Sequence, residues 1–176
     1  MSAEDRDDLD DFQDAEEGVA VEQPLADDLS AAVKSLKLYS EVAVEPEEAD
    51  LDDLVEEEDI FTRLVFYNHK GDTLAGSFTA DPSEVAIILG AWDVRDDTVA
   101  AGLYLEGEHY EVHRWYYNLV YGRKGIAGDG EGIGVCRVKG KDGSYNYGLV
   151  TYTYPILSAR AISRLLHLCK KYLTVL

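Results

Sequence analysis

Two periodicities divide the chain. Around DIFTRLVFYNHKGDTLAGSF the period falls to two, in two β-rich runs that flank HKGD, which predicts a hairpin. Downstream, GLYLEG, HYEVHRWYY, NLVYGRKG, IGVCRVKG and YNYGLVTYTY are short, β-branched or aromatic, and separated by glycine or Asp-Gly turns. They predict an antiparallel meander. Helical spacing replaces this pattern at three places. Leu25, Leu29, Ala32, Val33 and Leu36 lie one turn apart, with Asp27 or Asp28 available as a cap, and predict an amphipathic helix over 25–42. Asp81-Pro82-Ser83-Glu84 offers an N-cap acid, a proline at the first helical position and a capping-box glutamate ahead of Val85, Ile88, Leu89 and Trp92. After Pro155, Ile162, Leu165, Leu166, Cys169 and Leu173 share one face, while Arg160, Arg164, Lys170 and Lys171 lie mostly off it.

The fold class that follows is α+β: a single antiparallel β-sheet with N- and C-terminal helices packed on one face. Residues 1–24 carry too few large apolar side chains to order themselves and are expected to form a disordered acidic extension. The run EPEEADLDDLVEEED, within about 43–59, is expected to be an acidic linker or a weak helix, with Leu51, Leu54 and Val55 as its available anchors.

Charge sharpens this division. The first 60 residues hold 23 Asp and Glu against Arg6, Lys34 and Lys37, so they carry −20, and the other 116 carry +1. The formal net charge of −19 therefore describes one end of the chain. From Arg114 onward ten Lys and Arg face three Asp and Glu, so the predicted sheet region is basic. Cys136 and Cys169 have no metal-like spacing and read as free buried thiols of a reducing compartment. The start of the chain lacks the apolar core of a signal peptide, and no apolar run is long enough to span a bilayer, so a soluble intracellular protein is expected.

Catalytic and cofactor signals are weak. The glycines at 125, 128, 130, 132 and 134 miss the dinucleotide spacing and lead into a strand. Asp129 and Glu131 resemble the start of a calcium loop, but its twelfth position is Gly140. His109 and His113, four apart on one strand face, have no third ligand nearby. No nucleophile or carboxylate pair stands out, so neither an enzyme, a cofactor nor a metal is expected. Arg114, Arg123, Lys124, Arg137, Lys139 and Lys141 suggest an anionic protein or lipid partner. Nucleic acid is not expected, because no aromatic-rich recognition motif accompanies them.

From Phe61 to Leu173 the order of these pieces resembles the profilins, small proteins that bind actin monomers. The resemblance is carried by HKGDTLAGSF, the Asp-Pro-Ser-Glu-Val helix start, AAGLYLEGEHYEVHR, LVYGRKG, the glycine-rich link to IGVCRVKGKDG, GLVTYTYP and the last helix. The long acidic N-terminus resembles archaeal, Asgard-type members. The resemblance implies a cytoplasmic, cytoskeleton-associated, monomeric binding module without covalent chemistry, whose partner is the actin monomer. It places His109, Glu111, Arg114, Arg123, Lys124, Val135, Arg137, Lys139, Ser158, Ala159 and Ser163 against actin. It implies a polyproline site for proline-rich proteins at Tyr39, Leu74, His167 and Tyr172. Leu74 stands where many profilins have tryptophan, and Tyr172 is five residues from His167, roughly 140° around a helix, so a weaker or altered site is expected. Phosphoinositide headgroups would contact Arg114, Arg123, Lys124 and Arg137. An alternative is a roadblock- or longin-like scaffold that engages small GTPases, because those domains also set helices on a meander.

Overall fold

The computed structural model describes residues 45–125 and 130–176. The acidic extension 1–24 and the helix expected over 25–42, Tyr39 included, lie outside the described residues.

Described structure begins with an acidic strap. Glu47 donates its backbone N–H to the Lys171 carbonyl at 2.9 Å, and its carboxylate meets Lys171 Nζ at 2.6 Å. Helix α1 follows at Leu51–Glu57, capped by the Asp50 carboxylate, which accepts from Asp52 N–H at 3.0 Å. Asp52 and Asp53 in its first turn suit the positive end of the helix dipole. The stretch expected as a linker or a weak helix thus holds a helix seated on the sheet, because Leu51, Leu54 and Val55 at i, i+3 and i+4 pack into a core that includes Leu74. Behind it, Arg164 Nε donates to Glu58 Oε1 at 2.9 Å and ties the end of the strap to the last helix.

Strands β1 (Arg63–Tyr67) and β2 (Thr73–Gly76) form the expected hairpin. Its turn is closed by Asn68 Oδ1, which accepts from the N–H groups of Lys70 and Asp72. Helix α2 (Pro82–Leu89) starts as its sequence indicated, with Asp81 accepting from Ser83 N–H at 2.8 Å. Glu84 departs from the capping box. It accepts from the N–H groups of Glu106 and Gly107 at 2.8 and 2.7 Å, and so pins a distant turn. A 3-10 turn (Gly90–Trp92) leads to helix α3 (Arg95–Ala101), which the sequence reading did not separate.

Strands β3 (Leu103–Leu105), β4 (Glu108–Tyr116), β5 (Leu119–Lys124), β6 (Glu131–Lys139) and β7 (Tyr145–Tyr152) make the meander. The hairpin joins it at β7, giving one antiparallel seven-stranded sheet in the order β2-β1-β7-β6-β5-β4-β3. Helix α4 (Ser158–Leu168) closes the chain and runs on as a π-helical turn, Cys169–Leu173.

Alternation along the strands builds two cores. On the first face Val65, Tyr67, Tyr110, Val120, Ile133, Val135 and Leu149 meet Val85, Ile88, Ala91 and Trp92 from α2 and the 3-10 turn. On the second, Leu64, Phe66, Leu119, Cys136, Val150 and Tyr152 meet Val55 of α1 and Ile162, Leu165, Leu168 and Leu173 of the last helix. Helix α1 and the last helix share this face, while the N-terminal helix expected over 25–42 lies outside the described residues. Cys136 and Cys169 are free and buried in that second core.

Candidate functional site

The second face is only half covered. Gly134 of β6 lies beneath α4, where an added Cβ would sit 2.5 Å from Ile162 Cδ1. Its cross-strand partner in β5 is Tyr121, and the partner of Tyr121 in β4 is Arg114. Directly paired residues point to one face, so the row steps out from under the helix: glycine, tyrosine, arginine. Two parallel rows do the same. Gly132, whose added Cβ would strike the Tyr152 ring at 2.3 Å, pairs with Arg123, which pairs with Glu111. Cys136 pairs with Leu119, which pairs with Tyr116. The β4–β5 half of the face is therefore open beside the start of α4.

A β-bulge decides which side chains reach it. Val112 pairs with Gly122 and Arg114 with Tyr121, which leaves His113 outside the register. The bulge puts Arg114 where strict alternation from Glu111 would have put His113. Gly122 permits the distortion, because a Cβ there would lie 1.9 Å from the Glu111 carbonyl oxygen.

The open half has an aromatic floor and a basic rim. The rings of Tyr116 and Tyr121 are 6.4 Å apart and inclined at 31°. Burial pushes the Tyr121 phenol up, as does neighbouring Tyr116, while the Arg114 charge opposes them, so Tyr121 presents a neutral hydroxyl at physiological pH. Arg114 Nη1 donates to the His113 carbonyl at 2.8 Å and Arg123 Nη2 to the Gly130 carbonyl at 3.0 Å. Among the described residues neither guanidinium is paired with a carboxylate. His109 stands at the outer edge, its ring 4.9 Å from Tyr104 and its Nε2 2.9 Å from the Ala101 carbonyl. Ser158, Ala159 and Ser163 lie on α4, where Ser163 Oγ donates to the Ala159 carbonyl at 2.6 Å.

The expected actin-facing residues are thus split. His109, Glu111, Arg114 and Arg123 share the second face with the α4 residues. Lys124, Val135, Arg137 and Lys139 belong to the first, because each stands one step off that alternation. Val135 is 0% exposed beneath α2 and the 3-10 turn and is closed to any partner. The lysine is also engaged: Lys124 Nζ reaches Glu131 at 3.2 Å and Glu108 at 3.7 Å, and lies 5.2 Å from the Tyr110 ring centre. Glu131 is the centre of this cluster. It accepts from Arg63 Nη1 at 2.7 Å and Tyr110 OH at 2.6 Å. Burial pushes the Glu131 carboxyl up, but hydrogen bonds from Tyr110, Thr151 and Lys124 and the charge of Arg63 outweigh it and hold the group below its usual range. The four lipid candidates divide in the same way, Arg114 and Arg123 against Lys124 and Arg137.

Of the polyproline candidates, Leu74 is half-buried on β2 against the second core, as is Tyr172 on the π-helical turn, with Lys171 Nζ 4.9 Å from its ring centre. His167 is half-buried on α4. Burial pushes its pKa down, as do the charges of Arg164 and Lys171. Tyr116 and Tyr121 are the residues that sequence reasoning missed. The alternation Tyr116, Arg114 on one strand and Tyr121, Arg123 on the next was the available signal, and the bulge obscured it. Among the described residues no His, Cys, Asp and Glu cluster could hold a metal ion, and no helix is long and apolar enough to cross a membrane.

No protein-family model and no curated protein matches this chain. Solved structures do. Profilin II of Acanthamoeba castellanii is 23% identical over 68% of this chain and 92% of its own, with a TM-score of 0.51. LokiProfilin2, in a complex with rabbit actin, is 14% identical over 68% of this chain and 90% of its own, at 0.52. LokiProfilin1 is 12% identical over 68% and 89%, at 0.52. Low identity with matched architecture is a likeness of fold, and the fold of this chain is that of the profilins.

Proposed function

We propose that this protein is a divergent profilin that binds actin monomers through the open β4–β5 half of its sheet and regulates their polymerisation. The observation that carries this reading is the position of α4. It covers the sheet above Gly134 and stops short of Tyr121, leaving an aromatic floor with Arg114 and Arg123 beside it. Half-buried tyrosines bordered by arginines are the composition of an interface hot spot, and guanidiniums without carboxylate partners await them from outside. Charge complementarity with an acidic partner steers encounter and fixes register. That LokiProfilin2 is in a complex with rabbit actin supports the choice of partner.

The activity is binding, without covalent chemistry, by a cytoplasmic monomer. Arg114 and Arg123 would serve phosphoinositide headgroups on the same face, in competition with actin. Proline-rich partners would use the α4 side at His167 and Tyr172, with altered affinity because Leu74 offers no flat ring for stacking. Assembly of pyrene-labelled cognate actin is the test. The wild-type protein slows spontaneous assembly and Arg114→Glu does so much less. No effect of the wild-type protein at saturating concentration would end the reading.

A further inference from the structure

Arg137, displaced from the proposed actin face, stands in a box of its own on the opposite side of the sheet. Its guanidinium carbon lies 4.8 Å from the ring centre of Trp92, 4.9 Å from Tyr117 and 4.5 Å from Tyr145. Its Nε donates to the Tyr117 carbonyl at 2.9 Å. The tyrosine hydroxyls of 117 and 145 are hydrogen-bonded to each other at 2.6 Å, closing the wall. Lys139 Nζ lies 5.6 Å from the Tyr145 ring centre. Six other cations of the described residues, Arg63, Arg95, Lys124, Lys141, Arg164 and Lys171, each have a carboxylate within ion-pair distance. Arg137 and Lys139 have none there. No described group accepts from Arg137 Nη1 or Nη2, and neither is among the buried polar atoms without a partner.

We infer that this box is a second binding site, for a carboxylate in an acidic, partly apolar peptide segment of a partner protein. Three rings and the Nε bond fix the guanidinium before any ligand arrives, so little side-chain entropy is left to lose on binding. With Nε committed, the Nη1–Nη2 edge remains as a planar two-donor fork, the geometry that takes a carboxylate bidentately. Lys139 adds a second charge. Tyr117, 64% exposed, supplies an apolar surface for the neighbouring residue of the peptide. The hydrogen bond with Tyr145 lowers the pKa of the Tyr117 phenol, and the charges of Lys139 and Arg137 act in the same direction. Two cations suit one or two carboxylates. A polyphosphate or a nucleic-acid backbone would meet too few of them, and Asp93 acts on Tyr147 within the same aromatic group. The box is on the first face and the proposed actin surface on the second, so this inference does not rest on the actin reading, and the two ligands would not exclude each other.

The test is an NMR titration of the isotope-labelled full-length chain with a blocked peptide alternating Glu and Leu, beside the same peptide with Gln for Glu. The Glu peptide shifts the Arg137 Nε–H and Trp92 indole resonances, while the Gln peptide binds at least tenfold more weakly. Arg137→Gln weakens binding of the Glu peptide at least tenfold, and Arg137→Lys, which keeps charge without the fork, at least fivefold. Lys139→Gln, an exposed change with little bearing on folding, weakens it about threefold, and Arg95→Gln leaves it unchanged. No shift at millimolar peptide, equal shifts with both peptides, or full affinity in Lys139→Gln together with either Arg137 variant would overturn the site. A response confined to phosphoinositide vesicles would overturn it in favour of lipid.

Discussion

Tyr121 of β5 lies opposite Gly134 of β6, one side chain in the open and the other position roofed by Ile162 of α4. That step marks where the last helix ends its cover and the proposed binding surface begins. Arg114→Glu and Arg123→Glu, on either side of Tyr121, are each expected to weaken actin binding by tenfold or more. Tyr121→Ala should cost a similar factor, since truncating a central interface tyrosine removes about 2 kcal/mol or more. Arg95→Glu, on α3, should change affinity less than twofold. Titration of labelled actin with each variant checks the series, and equal losses for Arg114→Glu and Arg95→Glu would show that charge acts only at long range.

The bulge offers a structural test of the same surface. In Gly122→Ala the new Cβ meets the backbone oxygen of Glu111 at 1.9 Å, and backbone cannot rotate away as a side chain can. The expected cost is about 1–3 kcal/mol, read as a lower urea midpoint, with a loss of actin affinity because Arg114 and Arg123 flank the distortion. A midpoint equal to wild type would mean that β4 and β5 pair without the bulge.

Glu131 should make stability depend on acid. Its carboxyl is held below the usual range in the folded chain, so the folded state binds fewer protons than the unfolded one wherever the unfolded group titrates, around 4.3. The contribution is complete above that range and is lost as pH falls through the folded value. Glu131→Gln should lower stability at neutral pH by about 2 kcal/mol, since hydrogen bonds to a charged group are replaced by weaker ones. It should also flatten the acid limb of the stability curve. Thermal melts from pH 7 to 3 compare the two, and parallel curves would remove Glu131 from the account.

Cys136 and Cys169 are both fully buried. Burial pushes the Cys169 thiol well up, as does its neighbour Cys136, and the thiolate is the reactive form. Neither should be alkylated by iodoacetamide in the native protein at pH 8, and both should react together as urea unfolds the chain. Mass spectrometry across a urea series reads this directly, and rapid native-state labelling of Cys169 would contradict the packing of the π-helical turn.

Much of the fold was legible because its signals are local. Asp81-Pro82-Ser83 caps a helix through atoms two residues apart, and HKGD turns through Asn68 and its near neighbours. Glu84 shows the limit. Its spacing satisfied a capping box, yet it bonds backbone groups more than twenty residues away, at a turn that only the folded sheet brings near. Acidic α1 was equally ambiguous in isolation, since Leu51, Leu54 and Val55 stabilise a helix only where a core receives them.

Residue order by itself determined the α+β class, the sheet meander, the start and apolar face of the last helix, and the segregation of acidic from basic residues, all properties of neighbours in sequence. Tertiary structure decided which basic residues act together. A strand's two faces differ by one residue, so a single bulge at His113 sends Arg114 to the open face, and the register of β5 and β6 divides Arg123 from Lys124, Arg137 and Lys139. That choice is made by backbone pairing across strands, where Gly122 permits an approach that no other residue would.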